Sequence, residues 1–276
     1  MDSFSEIGQL LKVHGIRLKK DLGQNFLVED VYIRRIVEFA AVGRDDEVLE
    51  IGAGIGSLTY HLALAARQVC AVEIDAQLFP LLEERMQLMT NVILIEGNVM
   101  DIPIQDMVSR PGYKVVANIP YYLTSNLIRY LLEASMKPAL LTLTLQKEVA
   151  ERICAGAGEL SLLALSVQVY GSPRIVQKIP AGAFFPPPKV DSATLVVEIF
   201  DQPVIPSEKL DVFFRLIKAA FSQKRKMLHN TLSAGLNMES TQLQGLLKQA
   251  DIDSRRRAQT VSLTEWHRLT DIFSNA

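Results

Sequence analysis

Glu47-Val48-Leu49-Glu50-Ile51-Gly52-Ala53-Gly54-Ile55-Gly56-Ser57 decides the fold. Val48, Leu49 and Ile51 make a short apolar strand, three glycines in the next five residues turn it, and a helix follows over 57–66. A strand feeding a helix through a glycine turn opens a βαβ unit. The chain then repeats the move. Strands read at 69–74, 92–95, 113–118 and 139–145, with helices over 76–88, from Ser125, and over 147–155 and 160–170. Strands at 175–179 and 192–199 end the series. This alternation predicts an α/β fold with a Rossmann-like, mostly parallel sheet, its last strand antiparallel, wrapped by helices. Between the final strands, Ala183-Phe184-Phe185-Pro186-Pro187-Pro188 reads as neither helix nor ladder, because proline lacks the N–H.

Beyond residue 203 the strand signals stop. Helical spacing over 210–221, 226–234, 240–250 and 263–273 predicts a small all-α domain over 201–276, after an α/β domain over 1–200. Ahead of the first strand, Lys12, Arg17, Lys19 and Lys20 form a basic arm. A helix follows it, with Asp30 as its cap and Ile33, Ile36, Val37 and Ala40 on one face.

Composition narrows the class. Of 276 residues, 49% are hydrophobic and 22% charged, as in ordinary globular proteins. No apolar run reaches the ~18–20 residues of a membrane span. The opening residues carry neither the basic nor the apolar region of a secretory signal, so a cytoplasmic protein with reduced Cys70 and Cys154 is expected. Two cysteines and scattered His14, His61, His229 and His267 predict no metal site. Net charge is −2, yet residues 201–276 hold eleven Lys and Arg against eight Asp and Glu. Any polyanion binding is therefore local.

Four places carry chemistry. The glycine turn lets the backbone pass close to a ligand. The dinucleotide fingerprint wants glycine where Ser57 stands, which disfavours NAD. Glu73 closes the second strand, where a carboxylate accepts both hydroxyls of a ribose. Turn and acid together fit NAD, FAD or S-adenosylmethionine alike. Gly97-Asn98, past the third strand, reads equally as a turn or as an acceptor for an adenine amine. Asn118-Ile119-Pro120-Tyr121, at the tip of the fourth strand, separates the cofactors. Hydride transfer has no use for an amide, a fixed carbonyl and a ring at that point. Methylation of an exocyclic amine does: the Asn118 side-chain oxygen and the Ile119 carbonyl hold both amine hydrogens and aim the lone pair. Pro120 fixes the backbone, and Tyr121 stacks on the base for ~1–3 kcal/mol.

The chain resembles the ribosomal RNA adenine dimethyltransferases, and most closely their small-subunit branch. The resemblance rests on Leu22-Gly23-Gln24-Asn25-Phe26-Leu27, the 49–59 loop, Val72-Glu73-Ile74-Asp75, Asn118-Ile119-Pro120-Tyr121, the 146–152 segment and the 185–192 segment, and it spans nearly the whole chain. It implies a class I methyltransferase fold that uses S-adenosyl-L-methionine, with Asn25, Leu27, Gly52, Gly54, Glu73, Ile74, Asn98 and Asn118 around the cofactor. Asn98 stands where the family usually has Asp; it still accepts the adenine hydrogen bond, but without charge assistance. The implied substrate is two adjacent adenines in the 3′-terminal hairpin loop of 16S rRNA within the small subunit, each methylated twice at N6 during ribosome biogenesis. Tyr121, Phe184 and Phe185 would stack on the flipped base. Lys224-Arg225-Lys226 and Arg255-Arg256-Arg257 would contact RNA backbone.

A monomer without membrane attachment is expected. The alternatives are a large-subunit (23S) rRNA methyltransferase of the macrolide-resistance type, or a non-catalytic assembly or transcription factor on the same fold. The intact 118–121 motif argues against lost activity, and an NAD oxidoreductase ranks behind all of these.

Overall fold

The computed structural model describes residues 4–19, 22–119, 124–223 and 225–275. Helix α1 (Phe4–Val13) precedes the two-residue strand β1 (Phe26–Leu27) and α2 (Asp30–Phe39). Then β2 (Glu47–Ile51), α3 (Ser57–Ala65), β3 (Gln68–Glu73), α4 (Phe79–Met86) and β4 (Val92–Glu96) alternate. The short α5 (Ile104–Met107), β5 (Lys114–Asn118), α6 (Thr124–Glu133), β6 (Leu140–Gln146), α7 (Lys147–Ile153) and α8 (Leu162–Gln168) continue the series. It ends with β7 (Gly171–Ile179), the two-residue β8 (Phe184–Phe185) and β9 (Ser192–Ile199). Among the described residues, helices α9 (Leu210–Ala220), α10 (Leu228–Leu236), α11 (Ser240–Gln249) and α12 (Leu263–Ser274) follow.

Seven strands form one sheet in the order β4-β3-β2-β5-β6-β9-β7. Strands β2 to β6 pair in parallel, and β9 runs antiparallel to β6. The expected mostly parallel sheet with an antiparallel last strand is therefore present. Every residue of β2 is buried, and so are Val115, Val116 and Ala117 of β5, as strands covered on both faces require. Ile33 and Ile36 of α2 and Leu62 and Ala63 of α3 meet Val48, Val69 and Val116 in one core cluster. The sheet order reverses between β2 and β5, so their carboxyl ends open the crevice where such sheets bind ligands.

Several expectations change. Phe184 and Phe185 do form a ladder: they pair antiparallel with Leu27 and Phe26, because the prolines begin only at 186 and leave both N–H groups available. The cap of α2 is Glu29, in extended conformation and without a side-chain cap bond; Asp30 is the first helical residue and binds Arg34 and His61. Strand β7 starts at Gly171 rather than 175, since it edges the sheet and tolerates Pro173. Helix α4 starts at Phe79 rather than 76, because the Asp75 carboxylate and carbonyl accept from Gln77 N and Leu78 N and hold a turn. Helix α1 was not expected.

The chain divides into two compact units, Met1–Ala150 with Arg174–Ile199, and Glu151–Pro173 with Phe200–Ala276. Residues 151–173, assigned by sequence to the first domain, group with the helices instead. Burial explains this: Leu163, Ala164, Leu165 and Val167 are apolar and buried, and the Tyr170 ring stacks on Phe214 of α9 at 6.3 Å. Among the described residues no helix is long and apolar enough to cross a membrane.

Candidate active site

A cleft of about 920 Å³, its open mouth included, lies where β2, β3 and β5 end. Asn25, Leu27, Gly52, Gly54, Glu73, Ile74, Asn118, Ile119 and Phe184, separated by up to 159 positions in sequence, all line it.

Backbone chemistry builds the floor. Gly52 (φ 79°) and Gly54 (φ 58°) take left-handed conformations that side chains resist. A Cβ at Gly54 would stand 3.0 Å from the Phe26 ring. The loop folds back on β3: Gly52 N (2.9 Å) and Ala53 N (3.2 Å) donate to Val72 O, and Gly54 N donates to Glu73 Oε2 (2.7 Å). Consecutive N–H groups that would cradle a pyrophosphate are thereby consumed.

Glu73 is 5% exposed, and its other oxygen accepts from Asp75 N at 2.8 Å. Burial raises its pKa, and these backbone donors offset part of the rise. Glu50 lines the cleft, 1% exposed, beside the Thr59 hydroxyl. Burial pushes its pKa up to about 8; the Thr59 hydroxyl offsets part of the rise and the neighbouring Glu73 charge adds to it. The one sequence signal for Glu50 is an ionisable side chain inside a strand buried on both faces.

Asn118 ends β5. Its Nδ2 donates to the Asn25 carbonyl at 3.1 Å, and the neighbouring Ile119 N donates to Thr144 O at 2.9 Å. The amide nitrogen is thus spoken for by protein, which leaves the amide oxygen as the group that accepts from a ligand. Pro120 and Tyr121 lie outside the described residues. Phe184 is 2% exposed and lines the cleft, whereas Phe185 packs into a different cluster with Ile7, Leu11 and Phe26. Asn98 is not among the lining residues. It caps a short turn, its oxygen accepting from Met100 N (3.2 Å) and its nitrogen donating to Asp101 (3.0 Å).

In the helical unit the two basic clusters come together. Leu228 N donates to Arg256 O (2.7 Å) and His229 N to Ser254 O (3.1 Å), tying the 225–229 and 253–257 loops side by side. Arg225, Lys226, Arg255 and Arg257 are exposed there, while Lys224 lies outside the described residues. Arg255 pairs with Asp253. Arg256 is engaged differently: its guanidinium clamps Glu265, the acid of the capping box that starts α12, and reaches Thr260 O. That clamp pulls the Glu265 pKa down to about 2.

Residues 15–273 match the family model described as ribosomal RNA adenine dimethylase. The chain belongs to the ribosomal RNA adenine dimethylases. Members of this family are enzymes that take their methyl groups from S-adenosylmethionine, and so does this chain. A relative from Moorella thermoacetica named ribosomal RNA small subunit methyltransferase A is 39% identical over 280 residues, covering 96% of this chain and 97% of its own length. A namesake from Dehalococcoides mccartyi is 38% identical over 267 residues, covering 96% and 92%. A dimethyladenosine transferase structure from Plasmodium falciparum covers 91% of this chain and 98% of its own at 25% identity, with a TM-score of 0.77. The 23S rRNA methyltransferase ErmE covers 91% and 100% at 26% identity, with a TM-score of 0.73.

The cleft fits this dimethylase family's cofactor. S-adenosylmethionine is cationic at its sulfonium and carries no phosphate. A cleft whose glycine-loop N–H groups at Gly52, Ala53 and Gly54 are already bonded within the protein suits a ligand without phosphate better than a dinucleotide.

Proposed function

We propose that this enzyme dimethylates N6 of two adjacent adenines in the 3′-terminal hairpin loop of small-subunit (16S) rRNA, acting as a cytoplasmic monomer in ribosome biogenesis. The observation that carries the reading is Asn118, whose amide is fixed at the tip of β5 in the wall of the cofactor cleft. Small-subunit specificity is supported by the names of relatives at 38–39% identity; the large-subunit enzyme is a structural neighbour at 26%.

The cofactor supplies an electrophilic methyl group on a sulfonium. Glu73 receives the ribose hydroxyls; Asn25, Leu27, Gly52, Gly54 and Ile74 wall the remainder, with Asn98 toward the adenine. Asn118 Oδ1 and the Ile119 carbonyl accept the two hydrogens of the target amine, which stops the nitrogen lone pair from turning away. Tyr121 and Phe184 hold the base plane. The amine loses a proton as it becomes methylated, so no strong base is required in the cleft. Lys224, Arg225, Lys226, Arg255 and Arg257 take RNA phosphates, and Arg256 shapes the loop that presents them.

Incubating the enzyme and labelled S-adenosylmethionine with isolated small or large ribosomal particles, followed by mass spectrometry of the rRNA, tests this. Two adjacent dimethyladenines in small-subunit rRNA alone are expected. Label in 23S rRNA, or in neither, would overturn the reading.

A further inference from the structure

Asp75 is an acid that the chemistry above does not use. Its side chain is fully buried, yet two groups more than fifty residues away converge on it: Lys19 Nζ and Gln24 Nε2, each at 2.6 Å, one per carboxylate oxygen. Lys19 and Gln24 are also tied to each other, Lys19 N donating to Gln24 Oε1 at 2.7 Å. These donors, with Gln77 N, outweigh the effect of burial and hold the Asp75 pKa below its ordinary value, so the group is a carboxylate at neutral pH.

The fastening leads to the reacting centre. Immediately after Gln24 comes Asn25, whose side chain donates to Gly23 O (2.9 Å) and whose carbonyl receives Asn118 Nδ2 (3.1 Å). Next along, Phe26 and Leu27 pair with Phe185 and Phe184. The 22–27 strap therefore lies along the cleft wall, pinned at one end by Asp75 and at the other by β8. From its own backbone, Asp75 donates to Glu73 (2.8 Å), so one residue touches both the strap and the ribose acid.

This matters because an amide rotated by half a turn has nearly the same shape. With the Asn25 carbonyl in place, a rotated Asn118 would set oxygen against oxygen. Without it, both orientations compete, and the wrong one presents a donor to an amine that itself needs an acceptor. We propose that Asp75 is a positioning residue for methyl transfer: it fastens the strap whose Asn25 carbonyl fixes the rotation of the Asn118 amide. The inference rests on the function proposed above. It adds that rate is set partly by a carboxylate that touches neither cofactor nor base.

The test compares Asp75→Asn, the strap-side pair Lys19→Ala with Gln24→Ala, and all three together, in the full-length enzyme with small-subunit particles. Readouts are kcat, KM for particles, cofactor affinity by calorimetry and Tm. Misplacement of the amide by about 1 Å predicts a kcat loss on the order of 100-fold. KM for particles should stay within about threefold. The strap-side pair should match Asp75→Asn, and the triple variant should be no worse than either, since all act through one link. Because Lys19 and Gln24 are not in the core, the pair keeps the test valid should Asp75→Asn lose stability. A kcat within threefold of wild type in the pair, or losses that multiply in the triple variant, would overturn the proposal. Wild-type enzyme inert on every particle would instead overturn the function beneath it.

Discussion

At the scale of single residues, the cleft holds one side chain whose state depends on what surrounds it. Glu50 is buried, with a pKa of about 8 against an ordinary 4.5. The folded protein therefore binds a proton that the unfolded chain gives up. That contribution is whole below pH 4.5 and is lost progressively as pH rises toward 8. Glu50→Gln without cofactor should consequently raise Tm relative to wild type at pH 8.5, with the gain shrinking toward pH 5; each kcal/mol of relief reads as about 2–4 °C. Differential scanning calorimetry at both pH values checks this, and equal shifts at the two would contradict it. Asn118 and Glu73 were legible in the sequence because each stands at a strand's carboxyl end. Asp75 and Gln24 were not legible as partners: the chain separates them by 51 positions, and only the folded strap brings them to one place.

At the scale of elements, the glycine loop between β2 and α3 leaves little room for a side chain at Gly54. A Cβ at Gly54 meets Phe26 at 3.0 Å and strains a φ of 58°, and the displaced N–H releases Glu73. Gly112 has a similar φ of 82° with nothing within 4 Å, so Gly112→Ala isolates the backbone strain. Gly54→Ala should weaken S-adenosylmethionine at least tenfold by calorimetry, while Gly112→Ala should lower Tm modestly, by roughly 1–2 kcal/mol in stability, and leave that affinity alone. Element order and type could be read in advance because buried parallel strands appear as short apolar runs between punctuating glycines. Boundaries slipped where a local hydrogen bond outcompeted helix, as at Asp75 before α4. The β1–β8 pair escaped notice because two-residue ladders have no periodicity, and the prolines beside Phe185 pointed the other way.

At the scale of the whole molecule, charge is segregated rather than abundant. The net −2 conceals a basic surplus in the helical unit, and two clusters thirty residues apart in sequence meet on adjoining loops there. Their members are not equivalent. Replacing Arg225, Lys226 and Arg257 by Ala should weaken particle binding and reduce the slope of log K against log[salt] by about two to three, as each lost phosphate contact removes ~0.7–0.9. Arg256→Ala should instead lower Tm, because it unclamps the capping box of α12, with a smaller change in slope. Filter binding across a salt series and thermal melts separate the two. Sequence alone treated the three arginines as one run; only the Glu265 contact distinguishes the middle one.

The central claim is that a base amine is held at the tip of β5 by the Asn118 amide. Asn118→Ala, assayed for methyl transfer to small-subunit particles beside calorimetry with S-adenosylmethionine and particle binding, tests it most directly. The account expects transfer to fall by at least 1,000-fold, roughly 4 kcal/mol of transition-state stabilisation, with cofactor and particle affinities within about tenfold of wild type. Full turnover by that variant would contradict it.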